Sequence, residues 1–463
     1  MLGSALLSLQ VGYGAPATGP LRASRQNPRY FADPTGKIIY LAGSQTGGWD
    51  IQDDAWSGYA APGTRVRLDF HRYLDHLTTQ KHNLIRLWSV ETTRFDKGPP
   101  EMVATPMQFL RTGPGNALDG RPRFDLTRYD PAYFSRLRSA VAAACDRGIY
   151  VMTMLFEGFS SVHPVGPGYV NPGANPWIGH PFNAKNNING IDADVNGDGM
   201  GLEYHSLASP ETVALQKAYV RKVVDTLNDL NNVIYEIANE SVPASRDWQY
   251  EMIRTIKQYE STRPKQHPVV MSYYWPGDST QALFDSPADA VAPGYRHDDP
   301  PPANGSKVVL LDQDHNDWKS RDPRFVWKSF LRGNNVIIFD QDVVPFDWER
   351  GVVSSDDKSH VPIRRAVRHT RSYAGRMKLA EMTPQDDLAS TGYCLAKSGS
   401  EYLVYQPNSG RFSVTLDAGK YTYEWFNPSS GTVAGKGKVT TKAGSRDFTP
   451  PFDGQAVLYL KGS

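Results

Sequence analysis

From residue 29 onward, short apolar runs alternate with amphipathic stretches. "RYFADPTGKIIYLAGS" reads as a hairpin at an Asp-Pro-Thr-Gly turn, followed by a buried strand. In "FHRYLDHL", Phe70, Tyr73, Leu74 and Leu77 share one helical face. "NLIRLW" is an apolar strand carrying one arginine. Asp130 before Pro131 supplies an N-cap and a first-turn proline. Phe134, Leu137, Val141 and Ala144 form the stripe of that helix, and Gly148 stops it. "IYVMTMLFEG" is the next strand, and a helix over 210–230 stacks Val220, Val223, Val224 and Leu227. Then come strand "NNVIYEIANES", a helix over 246–259, strand "PVVMSYY", a short helical stretch and a weaker strand "DAVAPG". Strand "KVVLLDQD", helix "PRFVWKSFLRG", strand "NNVIIFDQD" and a helix over 363–378 complete the series.

The pattern predicts about eight strands, each followed by a helix or a helical stretch. Continuous apolar runs are expected where both faces of a parallel sheet are buried. Right-handed crossovers close such a series into a (β/α)8 TIM barrel. The competitor is an open doubly wound sheet, but no Gly-rich phosphate loop follows the first strand. Past about residue 385 the pattern becomes short alternating strands with frequent turn signals, the mark of a small antiparallel β-sandwich. The expected division is a leader or signal remnant over 1–28, the catalytic barrel over 29–382 and the sandwich over 383–463.

A chain of 463 residues suits a barrel plus a smaller module. The net charge of +1, with no block of like charge, argues against a nucleic-acid or anionic-membrane partner. No apolar run approaches the ~20 residues of a membrane span. "MLGSALLSLQVGYGAPATG" has a short apolar run and a small-residue Ala15-Pro16-Ala17 segment without a basic n-region. It reads as a truncated export signal or a leader, for a secreted or periplasmic protein. Cys145 on a helix and Cys394 in a late strand read as two separate buried thiols, with an interdomain disulfide as the alternative. Nothing in the sequence sets an oligomeric state.

In such a barrel the chemistry sits at the C-terminal ends of the strands. Those ends carry Glu91, Glu157, Asn239-Glu240, Asp312-Gln313-Asp314-His315, Asp340 and Asp342. Crowded carboxylates raise at least one pKa, which suits a general acid. Trp49, Trp56, Trp88, Trp177, Trp275, Trp318 and Trp348 fall on the same side, and their rings suit sugar faces. Long loops over 92–129 and 158–208 are expected to wall the cleft. Period-2 alternation puts Asp312 and Asp314 on one face. Within the third loop, "DADVNGDGMGLE" matches the spacing D-x-[DN]-x-[DN]-G-x5-E. Asp192, Asp194, Asn196, Asp198 and Glu203 are therefore candidate ligands for a structural Ca2+, with Gly197 at the tight turn. The bland reading is a polar loop whose acids meet arginines or water. No organic cofactor is implied.

With Asn239-Glu240 ending the fourth strand and Arg86 on the second, the chain resembles the retaining glycoside hydrolases of clan A. It resembles more closely the bacterial glycosidases, apiosidase-type enzymes among them, whose barrel precedes a domain labelled collagen-binding. The resemblance runs over about residues 29–460. It implies that Glu240 is the acid/base, that Asn239 binds a sugar 2-hydroxyl and that Arg86 lies near the nucleophile. Relatives place Asp-Gly-Glu at the seventh strand. Asp312-Gln313-Asp314 aligns there, which makes Asp314 the nucleophile and leaves Asp312 as its rival. Glu91, Glu157, His315, Trp49, Trp88, Trp275 and Trp318 complete the expected substrate contacts, with Glu91 and Glu157 readable also as parts of a charge network. The expected activity is hydrolysis of O-glycosidic bonds in a carbohydrate substrate. The alternatives are a non-catalytic carbohydrate- or matrix-binding protein and a metal-assisted hydrolase.

Overall fold

The structure is a computed structural model, described for residues 15–46, 50–53, 69–93, 104–161, 175–274, 277, 280–294, 298–315, 320–340, 346–347, 352–353 and 358–462. Eight parallel strands close into a barrel in chain order: β1 (Ala42–Gln45), β2 (Leu84–Leu87), β3 (Tyr150–Glu157), β4 (Val233–Asn239), β5 (Val269–Ser272), β6 (Ala290–Ala292), β7 (Val308–Asp312) and β8 (Asn335–Phe339). Each lies within an apolar run that the sequence marked as a strand. Around them pack α1 (Phe70–Thr79), α2 (Pro131–Asp146), α3 (Pro210–Leu227), α4 (Arg246–Glu260), α5 (Gln281–Asp285), α6 (Arg324–Leu331) and α7 (Val361–Ala374).

Local chemistry accounts for the helix starts. Asp130 accepts the Ala132 N–H at 2.8 Å with Pro131 in the first turn of α2. Ser209 does the same for Thr212 at 3.2 Å ahead of Pro210 and α3. Such caps are worth about 1 kcal/mol each. One expectation is corrected: no helix follows β6 among the described residues. Pro300, Pro301 and Pro302 occupy that connection, and proline lacks the N–H and the room that a helix interior needs.

The barrel strands alternate faces. Leu84 and Ile234 join Met152, Val270, Leu310 and Ile337 inside the barrel, while Ile85, Val233 and Tyr235 pack under the helices. Ala17 and Leu21, inside the stretch read as a leader, are buried in the same interior cluster with Phe31. The chain from residue 15 is thus part of the folded body.

Two long connections extend over the strand ends. The first contains an antiparallel hairpin (Phe109–Asn116 with Pro122–Tyr129) where the sequence suggested only a loop. The second docks on it: the Phe124 N–H bonds to the Asn186 carbonyl and the Ile188 N–H to the Phe124 carbonyl, both at 2.8 Å.

Residues 383–462 form an antiparallel sandwich of a six-stranded and a two-stranded sheet. One face rests on α6 and α7. Trp327 stacks on Tyr405 with centroids 5.8 Å apart, and the Tyr373 hydroxyl donates to Glu424 at 3.0 Å. Leu403, Tyr405, Phe426 and Val457 belong to the apolar cluster of the barrel's outer layer. The two cysteines are free thiols, Cys394 buried and Cys145 half-buried. No helix among the described residues is long and apolar enough to cross a membrane.

Candidate active site

The site is organised around one buried cation. Arg86 points into the barrel from β2 and is 1% exposed. Its Nε and Nη2 donate to the two Glu236 oxygens at 2.8 and 2.6 Å. Nη2 also reaches Asn239 Oδ1 at 2.6 Å. Nη1 reaches Gln45 Oε1 and Asp314 Oδ2, each at 3.2 Å, and lies 3.1 Å from Asp312 Oδ2. Burial would weaken the guanidinium's hold on its proton, but Glu236, Asp312 and Asp314 more than reverse that effect. Arg86 is a fixed positive charge beneath the carboxylates, fully engaged by protein. It supports the cleft rather than lining it, unlike the substrate contact expected from sequence.

Above it stand the two carboxyls singled out by the strand ends. Glu240 follows β4 with φ near +40°, a left-handed conformation that costs a non-glycine residue of order 1–3 kcal/mol. Gly158 makes that backbone fit: a Cβ there would stand 2.5 Å from the Glu240 carbonyl oxygen and 2.7 Å from that of Asn239. The Glu240 carboxyl is buried and takes no hydrogen bond from the described residues. Burial, then the charge of Asp314, push its pKa well above the carboxylate range. Asp314 stands on a 3-10 turn (Gln313–His315) after β7, with its side chain 14% exposed. Burial raises its pKa against the opposing pull of Arg86. Glu240, Asp314 and His315 each present an atom within 4.8 Å of the others.

Asp312 is placed differently from Asp314. It is wholly buried, its Oδ1 accepts the Gln45 amide and the Asp314 N–H (3.0 Å), and Oδ2 faces Arg86. Burial raises its pKa to about 8 although Arg86 opposes this. The two aspartates do not share a face by strand alternation as expected. The chain leaves the strand at residue 313, and both meet at the guanidinium instead.

Asn239 is fully buried. Its oxygen accepts from Arg86 and from His315 Nε2 (3.2 Å), and its amide nitrogen donates to Glu157 at 3.2 Å. Glu157 also accepts from the Phe159 N–H and the Ser160 hydroxyl, and burial lifts its pKa to about 7. Glu91 lies behind it, with its oxygens taken by the Glu157 N–H (2.8 Å) and the Tyr204 hydroxyl (2.6 Å). Glu91 and Glu157 thus form an internal network rather than projecting into the cleft. Asp340 is bound by Arg364 at 3.0 Å and is likewise occupied. Trp88 is half-exposed beside Arg86, its indole N–H on Gln45 Oε1. Trp49, Trp275 and Trp318 lie outside the described residues, as do Trp56, Trp348 and Asp342. Trp177 is not at the mouth: it is 2% exposed and stacked on His180 at 4.6 Å.

Sequence reasoning missed Gln45, Glu236 and Tyr273. Tyr273, just past β5, has its ring 5.9 Å from that of His315, and its hydroxyl pKa is raised by burial and by the charge of Glu240. A charge in mid-strand was the signal for Glu236, since a barrel interior must neutralise it.

In the third loop, Asp194, Asp198 and Glu203 bring one oxygen each within 4.8 Å of one another. Asp194 Oδ1 and Glu203 Oε2 are buried without a hydrogen-bond partner. Gly197 takes φ near +72°, as the tight turn requires. Asn196 turns its amide N–H groups to Asp198 (3.0 Å) and Glu203 (2.8 Å). Asp192 is exposed, outside the trio, and accepts the Asp194 N–H at 3.2 Å. The loop then enters the barrel wall at the next residues: Tyr204 holds Glu91, and His205 Nδ1 meets the Ser241 hydroxyl at 2.9 Å, one residue past Glu240.

Fold and site together describe a (β/α)8 barrel with two close carboxyls at the ends of its fourth and seventh strands. Known proteins share the fold. Residues 102–288 match the family "Domain of unknown function (DUF6298)", and residues 381–459 match "Putative collagen-binding domain of a collagenase". None of the curated proteins matches the chain. A solved structure described as "Glycoside hydrolase" is similar with a TM-score of 0.60 at 12% identity, covering 96% of this chain and 97% of its own. A putative glycoside hydrolase from Bacteroides vulgatus is similar at 0.61 and 14%, over 96% of this chain and 82% of its own. A glycoside hydrolase family 5 protein from the same organism is similar at 0.58 and 13%, over 97% and 95%. At these identities the likeness establishes the shared fold.

Proposed function

We propose that the protein is a glycoside hydrolase acting by a two-carboxyl retaining mechanism. The observation that carries this is that one carboxyl oxygen of Glu240 lies within 4.8 Å of one of Asp314. Retaining enzymes hold the pair about 5–5.5 Å apart, whereas inverting ones need about 6.5–9.5 Å for a water. The environments also divide the roles. Glu240, kept protonated by burial and by its neighbour's charge, is the acid. Asp314, beside Arg86 and open to the cleft, is the nucleophile. Asp312 is excluded from that role by its burial and its bonds to Gln45 and the Asp314 N–H.

In the first step an Asp314 oxygen bonds to the anomeric carbon as the bond to the leaving oxygen breaks, and Glu240 gives that oxygen its proton. In the second step Glu240, now a carboxylate, takes a proton from water. The water oxygen bonds to the anomeric carbon, and Asp314 leaves with its electron pair. Asn239 is the proposed contact for the sugar 2-hydroxyl, through the amide N–H that Glu157 does not use. Trp88 and Tyr273 are the proposed stacking faces.

The test is a screen of aryl glycosides and polysaccharides, with NMR of the first anomer released. Glu240→Gln and Asp314→Asn are expected to lose several orders of magnitude in kcat while staying folded. Near-wild-type turnover in either removes its assigned role. Binding of a polysaccharide by pull-down without release of sugar would favour a non-catalytic binding protein.

We further propose that the loop over 192–203 holds a structural Ca2+ through Asp194, Asp198 and Glu203. Two buried, unpartnered oxygens at motif spacing support this. A hard cation there needs Asn196 to turn its oxygen inward, replacing its present bonds to Asp198 and Glu203.

A further inference from the structure

Asp314 is one methylene shorter than the glutamate that the resemblance places at the end of a seventh strand, and the turn that carries it is densely bonded. Four polar residues stand at and just past the end of β7, and three of them are tied by their side chains to other parts of the protein. Asp312 accepts the Gln45 amide and the Asp314 N–H. The Gln313 oxygen accepts the Phe339 N–H at 2.8 Å, and its amide donates to the Ser320 carbonyl at 2.7 Å. His315 Nε2 donates to Asn239 Oδ1 at 3.2 Å. Of the four, Asp314 is the one with its carboxyl in the cleft, facing Glu240.

We propose that Asp312, Gln313 and His315 are positioning residues that clamp this turn, so that the backbone carries Asp314 toward Glu240 by the reach a longer side chain would otherwise supply. The proposal rests on the reading of Asp314 as the nucleophile. Asp312 has a second effect, because it shares Arg86 with Asp314. Among the described residues, the charged and titratable groups gathered round Asp314 are Arg86 from β2, Glu157 from β3, Glu236 and Glu240 from β4 and its end, Tyr273 from β5, and Asp312 and His315 from its own segment. His315 is held neutral by burial and by Arg86, so Arg86 is the one cation among them. Asp312, ionising near pH 8, then offsets part of the attraction of Arg86 for the Asp314 carboxylate.

Two variants test the clamp. Asp314→Glu leaves every clamp bond in place and lengthens the side chain. A misplacement of about 1 Å costs on the order of 10²-fold, so kcat is expected to fall by about that factor with KM within about threefold. Retention of a third or more of wild-type kcat overturns the proposal. Asp312→Asn keeps an acceptor for the Asp314 N–H but removes the competing charge. Followed by 13C NMR, the wild-type Asp314 carboxyl is expected to show a second inflection near pH 8, where Asp312 ionises, and the variant to lack it. An unchanged Asp314 curve overturns the sharing, and a lower melting temperature with that curve unchanged reduces Asp312 to a structural residue. The NMR readout needs no substrate. A changed curve in a protein that cleaves no glycoside would sustain the sharing of Arg86 by the two aspartates and overturn the glycosidase reading alone.

Discussion

Removing Arg86 is the sharpest test of how the site is held. Arg86→Met keeps most of the side chain's length and apolar volume but deletes the guanidinium. Lost with it are two bonds to Glu236 at 2.6 and 2.8 Å, one to Asn239, one to Gln45 and the approach to both aspartates. Glu236 is wholly buried and would keep only the Ser272 hydroxyl. Breaking a buried pair from one side costs about 3–5 kcal/mol, a large part of the ~5–15 kcal/mol that holds a domain folded. The cost depends on pH, because the stranded carboxyls escape by taking up protons. The folded-state pKa values of Asp312 and Asp314, already raised by burial, rise further without Arg86, so the native variant binds more protons than its unfolded chain. Its stability then falls as pH rises through that window. Urea denaturation of wild type and variant at pH 5 and pH 8 reads this directly. The expected loss is about 3–5 kcal/mol at pH 8 and smaller by at least about 1 kcal/mol at pH 5. A loss below about 1 kcal/mol at pH 8, or one equal at both pH values, would refute the view of Arg86 as the counter-charge of the cluster.

The wild type itself should lose stability as pH rises from about 4 to 8, since Asp50, Glu157 and Asp312 are raised to about 7, 7 and 8 by burial. The total is at least a few kcal/mol, and a flat stability profile over that range contradicts it. Calcium is expected to raise the melting temperature and chelator to lower it, both effects vanishing in Glu203→Gln. Equal melting curves in calcium and chelator dispose of the cation. Trp327→Ala, which removes a ring stacked between barrel and sandwich, should cost about 3–5 kcal/mol. It should also uncouple the two units in calorimetry, and a single unshifted transition would show that the sandwich does not brace the barrel.

The strands were legible because a barrel strand is buried on both faces and reads as an unbroken apolar run. Polar residues at the ends of such runs, Asn239, Glu240 and Asp312, then stand out by contrast. What resisted reading was contact between strands. Arg86 and Glu236 were each visible as a lone charge in an apolar strand, two residues after the interior-facing Leu84 and Ile234. Yet β2 and β4 are not neighbours, since β3 runs between them. Only closure of the barrel lets one guanidinium reach across to a carboxylate, and sequence spacing carries no signal of that. Trp177 failed for the opposite reason. A long loop over a barrel folds on itself, and its tryptophan went into that small core with His180 and Tyr204 rather than into the cleft. The 312/314 ambiguity turned on a single local event. Had the strand continued, alternation would have left the two aspartates equivalent. A 3-10 turn begins at Gln313, so one of them becomes the cap of that turn and the other its tip. The division of labour between identical side chains is therefore set by the hydrogen bonds of Gln45, Gln313 and His315.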